Sequence, residues 1–145
     1  MDKTRDIHLD FLKLLELKDQ KVIDVFKDIR EFVLSIYPES TELLYHTHAL
    51  TSVFCVSDKL SDAFCMIPIY TNHLNLGFNK GTLLDDSNKL LIGTGKLIRH
   101  IPIEKTKDYR NEKVALLVKK AIELALSDLE KPNKSIGLTI SKIKP

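Results

Sequence analysis

Two glycines one residue apart, Gly93 and Gly95, bracket Thr94 and lead directly into Lys96, with Arg99 and His100 close behind. Glycine reaches positive φ without steric cost, and a turn built on it can aim successive backbone N–H groups at one point, a concavity that holds anions. Lys96 lies beside that turn, and Arg99 and His100 supply further donors if the following strand folds back. The chemistry on offer is recognition of a phosphate, a carboxylate or a similar anionic group. Asn75 opens the same stretch, in Asn75-Leu76-Gly77-Phe78, and completes a candidate ligand-binding set of Asn75, Gly93, Thr94, Gly95, Lys96, Arg99 and His100. Gly93-Thr94-Gly95-Lys96-Leu97 is not a phosphate-binding P-loop, because it lacks the spacer after the first glycine and the hydroxyl residue after the lysine. A Gly-x-Gly also reads as a plain tight turn.

Metal ligation has two candidate sets. On a strand, His46 and His48 would project to one face, a spacing that lets two imidazoles meet one zinc, copper or iron ion, with His73 and His100 on other strands as further ligands. Asp24, Asp28 and Glu31 recur at helical spacing and form an acidic ridge of oxygen ligands suited to a hard cation. Lys21, Lys27 and Arg30 alternate with those acids, so a solvated helix face laced with ion pairs explains the same residues. Cys55 and Cys65 sit in apolar runs, where a thiol stays protonated. The chain has no Gly-x-Ser-x-Gly elbow, no His-Glu-x-x-His helix and no Cys-x-x-Cys pair, which points to a protein that binds rather than catalyses.

The elements that must position these groups read as helical ends around a strand-rich middle. Val22, Val25, Phe26, Ile29, Phe32, Val33 and Ile36 repeat at helical spacing and Pro38 closes the run; a shorter pattern, Ile7 to Leu15, precedes it. Val114, Leu117, Val118, Ala121, Ile122 and Ala125 form a second amphipathic stripe. Between them, β-rich runs near 43–47, 51–57, 63–69, 73–78 and 96–103 predict about five strands. The expected fold is α+β, an antiparallel sheet with N- and C-terminal helices packed on one face. Asp58 to Asp62 reads as a hairpin loop, which would let Cys55 and Cys65 face each other.

At 145 residues, 43% hydrophobic and 29% charged, the chain fits one globular domain. No apolar run is long enough to span a membrane, and the first residues lack a secretory h-region, so a cytoplasmic location and no membrane partner are expected. The net charge of +2 conceals an asymmetry: residues 131–145 carry Lys131, Lys134, Lys142 and Lys144 and no acid, leaving the body slightly acidic. Nucleic acid is therefore not an expected partner. Residues 1–130 read as the domain and 131–145 as a basic tail. Within the tail Ile136, Leu138 and Ile140 alternate with polar residues, predicting an extended segment that docks as an edge strand or against a partner chain, including in an oligomer.

The run His73-Leu74-Asn75-Leu76-Gly77-Phe78, then Gly81, Leu83 or Leu84, Leu90-Leu91, Gly93-Thr94-Gly95-Lys96 and Arg99-His100, resembles the signature of the YdhG-like domains, family 1801 among domains of unknown function. The resemblance covers the layout of residues 20–126, most closely 73–103. It implies a compact α+β domain remotely like frataxin, and, from one branch described as iron-chaperone-like, a role in carrying iron to iron–sulfur assembly. Tyr45-His46-Thr47-His48-Ala49 departs from the Tyr-Gly-x-Pro-like stretch of that branch. Two further readings stand beside the anion-binding module: a frataxin-like metal carrier, and a protein-interaction domain.

Overall fold

The computed structural model describes residues 5–145. Two helices, α1 (Leu9–Leu15) and α2 (Gln20–Ile36), lead into strands β1 (Thr41–His46), β2 (Leu50–Cys55), β3 (Ala63–Ile69), β4 (Leu74–Phe78) and β5 (Arg99–Ile103); α3 (Glu112–Asp128) and a short β6 (Thr139–Ser141) follow. The α+β class and the one-sided helix layer agree with the sequence pattern. The sheet has six strands in the order β5-β4-β3-β2-β1-β6, antiparallel except that β6 runs parallel to β1. The sixth strand comes from the basic tail, which continues the sheet of residues 1–130.

Local chemistry accounts for the helices. Asn111 caps α3 by accepting from the Val114 amide at 2.9 Å. In α2 the apolar stripe buries Val22, Ile23, Phe26, Ile29, Phe32 and Val33, and Pro38 follows the last turn. This stripe, the buried faces of α1 and α3 and one side of every strand from β1 to β5 share a single core. A smaller cluster of Leu43, Val53, Cys55 and Ala63 lies on the other side, which no helix covers.

A β-bulge corrects the expected cysteine pairing. Phe54 pairs with Cys65 but Cys55 pairs with Ala63, leaving Phe64 as the extra residue. Phe64 and Cys65 both enter the helix-side core, whereas Cys55 joins the opposite cluster. Both cysteines are free and buried. Burial, with Asp62 and Asp58 adding to it, pushes the Cys55 thiol up to about 12, and burial drives Cys65 well above its ordinary value, so neither is a nucleophile at neutral pH.

The core also encloses an ion pair. Arg30 of α2 grips Glu42 of β1 through Nε to Oε2 at 2.9 Å and Nη2 to Oε1 at 2.8 Å, and the two side chains are only 4% and 1% exposed. Ser52 on β2 donates to the same carboxylate, as does Thr139 of β6 at 2.8 Å. The remaining Arg30 donors reach the carbonyls of Arg5 and Asp6 at 2.6 and 3.1 Å. One carboxylate thus joins α2, β1, β2 and β6.

This network inverts the expected docking of the tail. The inward side of β6 is polar, with Thr139 on Glu42 and Ser141 on Asp10 at 2.7 Å. Of the alternating apolar residues, Ile140 packs against the Leu43 cluster, while Ile136 and Leu138 remain 56% and 55% exposed.

Candidate functional site

The chain between β4 and β5 is organised by short-range hydrogen bonds. The Asp86 carboxylate accepts the Leu90 and Leu91 amides at 2.9 Å each, and Ile92 then pairs with His100, exchanging two backbone bonds of 2.9 Å. Residues 93–98 are left as an exposed loop closing onto β5. The fifth strand, expected from Lys96, therefore begins only at Arg99.

Only one of the paired glycines holds the expected conformation. Gly93 has φ +130°, whereas Gly95 lies outside the left-handed region. Instead of alternating glycines, side chains fix the loop. Arg99 Nη1 donates to the carbonyls of Gly95 and Ile98, the latter at 2.9 Å. Thr82 takes the next two, its hydroxyl donating to the Lys96 carbonyl at 2.8 Å and its amide to that of Leu97 at 3.0 Å. In a trans peptide the N–H points opposite to the C=O of the same unit. The amides of Lys96, Leu97 and Ile98 therefore point away from Thr82 and Arg99, and among the described residues none of them donates to a protein acceptor. The result is an outward-facing row of donors beside the exposed Lys96 side chain.

Arg99, expected as an anion donor, instead braces the loop from its carbonyl side through Nη1. His100 and Asn75 do come together: Gly77 pairs with His100 and Asn75 with Pro102, which sets both side chains on the helix-free face as diagonal neighbours. A Cβ on Gly93 would lie 3.3 Å from Arg99 Cδ and 3.6 Å from His100 Nδ1. Gly93→Ala is accordingly expected to destabilise the fold by about 1–2 kcal/mol through its positive φ, while Gly95→Ala makes ordinary contacts with the Ile98 carbonyl oxygen at 3.5 Å and amide nitrogen at 4.0 Å and leaves the denaturation midpoint nearly unchanged. Equal losses for the two in chemical denaturation would refute this assignment of strain.

The histidines do not converge. His46 ends β1 but His48 lies in the β1–β2 turn, so the shared face needed for two imidazoles on one strand is lost. His73 precedes β4, stacked on Tyr70 with ring centroids 4.6 Å apart and its Nδ1 2.9 Å from Asn72 Oδ1. β2 and β3 separate it from His46, a gap of about 14 Å at ordinary strand spacing. On α2, Asp24 accepts from Gln20 at 2.8 Å, and Glu31 is exposed. Asp28 receives Arg110 Nε at 2.7 Å, Arg110 Nη2 at 3.1 Å and the Tyr109 hydroxyl. Arg110, with a smaller contribution from Tyr109, holds the Asp28 carboxyl below its ordinary value. That carboxylate already has its cation, and the ridge docks α3's leading segment onto α2. Among the described residues no group of three or more His, Cys, Asp and Glu side chains is placed to hold a metal ion.

A cleft of about 490 Å³ opens between the Ser57–Asp62 turn and residues 130–134, with a Lys80–Asp128 ion pair of 2.9 Å in its wall. None of the candidate anion or metal ligands lines it; its walls include the Asp58–Asp62 hairpin loop and Lys131 and Lys134 of the basic tail. The sequence reading also missed Thr82, whose hydroxyl and amide organise the loop; a lone threonine after a turn glycine carries no signal of such a role. Comparisons of the chain with protein-family models, with curated proteins and with solved structures found no match.

Proposed function

We propose that this chain is a non-enzymatic binding module of the YdhG-like kind, which recognises an anionic group at the loop spanning Gly93 to Ile98. The observation that carries this reading is the outward orientation of the Lys96, Leu97 and Ile98 amides, which follows from the capture of the loop's carbonyls by Thr82 and Arg99. Backbone N–H groups presented in series, with an ammonium beside them, suit an oxyanion better than a cation.

Titration of the isotope-labelled protein with inorganic phosphate tests the reading. The amides of Lys96, Leu97 and Ile98 are expected to shift in a saturable manner, and Lys96→Ala to weaken the response about fivefold, the scale of one exposed charge interaction. Small uniform shifts over the whole surface would mean ionic screening alone and would sink the proposal.

A further inference from the structure

The two edges of the sheet are finished differently. At the β5 edge, His100 turns its N–H and C=O outward and Ile92 takes both at 2.9 Å. The next residue turned the same way, Pro102, has no N–H to offer. That edge is closed to further pairing. At the opposite edge, the Glu42 amide donates to the Leu138 carbonyl at 2.9 Å and the Lys142 amide to the Leu44 carbonyl at 2.8 Å. In a parallel ladder these bonds turn the backbone of Ile140 toward β1 and those of Thr139 and Ser141 away from it. Among the described residues nothing pairs with the outward groups of Thr139 and Ser141. An edge with unpaired main-chain groups is a template for another strand.

The surroundings say what that strand would carry. Leu138 is 55% exposed, and it shares the helix-free face with Ile140, offering apolar contact to alternate residues of an incoming chain. Lys142 and Lys144 follow β6 directly and Lys131 and Lys134 precede it along the chain, and residues 131–145 hold no acid. The acids that meet β6, Glu42 and Asp10, are engaged by the Thr139 and Ser141 hydroxyls on the helix side. A second copy would bring like charge to like charge, whereas an acidic strand meets its complement. We propose that the outer edge of β6 is a strand-addition site for an extended acidic segment of a partner protein, with apolar residues at alternate positions over Leu138 and Ile140.

A blocked peptide of alternating valine and glutamate, added to the isotope-labelled full chain, tests this. The Thr139 and Ser141 amides are expected to shift saturably and to exchange with solvent about tenfold more slowly when the peptide is bound. The corresponding valine–lysine peptide should bind about tenfold more weakly, and added salt should narrow the gap. Ser141→Pro removes an outward donor while keeping the inward bonds of Ile140, and should weaken binding about tenfold. A valine–glutamate peptide methylated on alternate backbone nitrogens provides the same test on the unaltered protein and should fail to bind. Equal binding of the acidic and basic peptides overturns the proposal. So does a response confined to Gly93–Ile98, which would report carboxylate binding at the anion loop, or no response at all. Thr139 and Ser141 amides already protected in the free protein, with a dimer in sedimentation, would give the edge to a second copy and equally overturn it.

Discussion

Replacing Glu42 by alanine is expected to destabilise the fold by about 3–5 kcal/mol, the usual consequence of removing one partner of a buried ion pair. The loss exceeds that of a deleted contact, because Arg30 would remain charged and only 3% exposed with its acceptor gone. Ser52 and Thr139 lose the same acceptor. Glu42→Gln preserves the volume and one carbonyl oxygen but sets an amide NH₂ against the guanidinium, so an intermediate loss is expected. Equilibrium unfolding in urea at neutral pH distinguishes the two variants. A loss below about 1 kcal/mol for Glu42→Ala would show that the pair is dispensable.

The same carboxylate predicts the acid limb of stability. Burial alone would raise the Glu42 carboxyl, but the hydrogen bonds and charge of Arg30, with the hydroxyls of Ser52 and Thr139, more than offset it and leave it below its ordinary 4.5. Arg110 holds Asp28 below its ordinary 3.8 in the same way. A carboxyl whose folded value lies under its unfolded one stabilises fully above the unfolded value, and that contribution fades as pH falls through the folded one. Stability should therefore decline as pH drops below about 4.5. The Glu42→Ala variant should show a shallower decline. Identical acid profiles for the two proteins would assign the decline to other groups.

What the sequence displayed and what it hid follow from the range of the interactions involved. The helix at 22–36 was legible because its stripe is local and periodic, and the hairpin at Asp58–Asp62 because turn chemistry is local too. Lys96–Ile98 read as strand because it leads into the β-rich run ending at Ile103, yet Arg99 and Thr82 claim its carbonyls, and the partner Thr82 lies well back along the chain. Of Ile136, Leu138 and Ile140, whose alternation predicted an extended edge segment, only Ile140 lies within β6, the strand at the sheet edge. The inward side could not be read from that alternation, because it was decided by the buried Glu42, which looks in sequence like any surface glutamate. The candidate site shows the same division. Gly93, Lys96, Arg99 and His100 stand within one short segment and are visible as a motif. Whether His46, His48 and His73 meet depends on strand order and turn position, which no local spacing encodes.

Gly81→Ala is expected to be the most damaging change outside the ion pair, at about 3 kcal/mol. An added Cβ there would lie 2.5 Å from Arg99 Cβ and 2.9 Å from the Arg99 backbone nitrogen. Neither atom can step aside without moving β5, since Arg99 pairs with Phe78 in the sheet. The requirement is close approach and not backbone conformation, because Gly81 does not hold positive φ. Gly77→Ala supplies the control: its Cβ would meet Met66 Cε and Cγ at 3.1 Å, and an unbranched, flexible methionine can shift to make room at a loss below about 1 kcal/mol. The effect of Gly81→Ala should extend to the anion loop. Displacing Arg99 withdraws Nη1 from the Gly95 and Ile98 carbonyls, freeing the loop's peptide planes to rotate. Hydrogen exchange should accelerate along Arg99–Ile103, and the saturable response of the Lys96–Ile98 amides to phosphate should disappear even where the variant remains folded. A Gly81→Ala protein as stable as the Gly77→Ala one, with its phosphate response intact, would show that β5 and the loop do not depend on that contact.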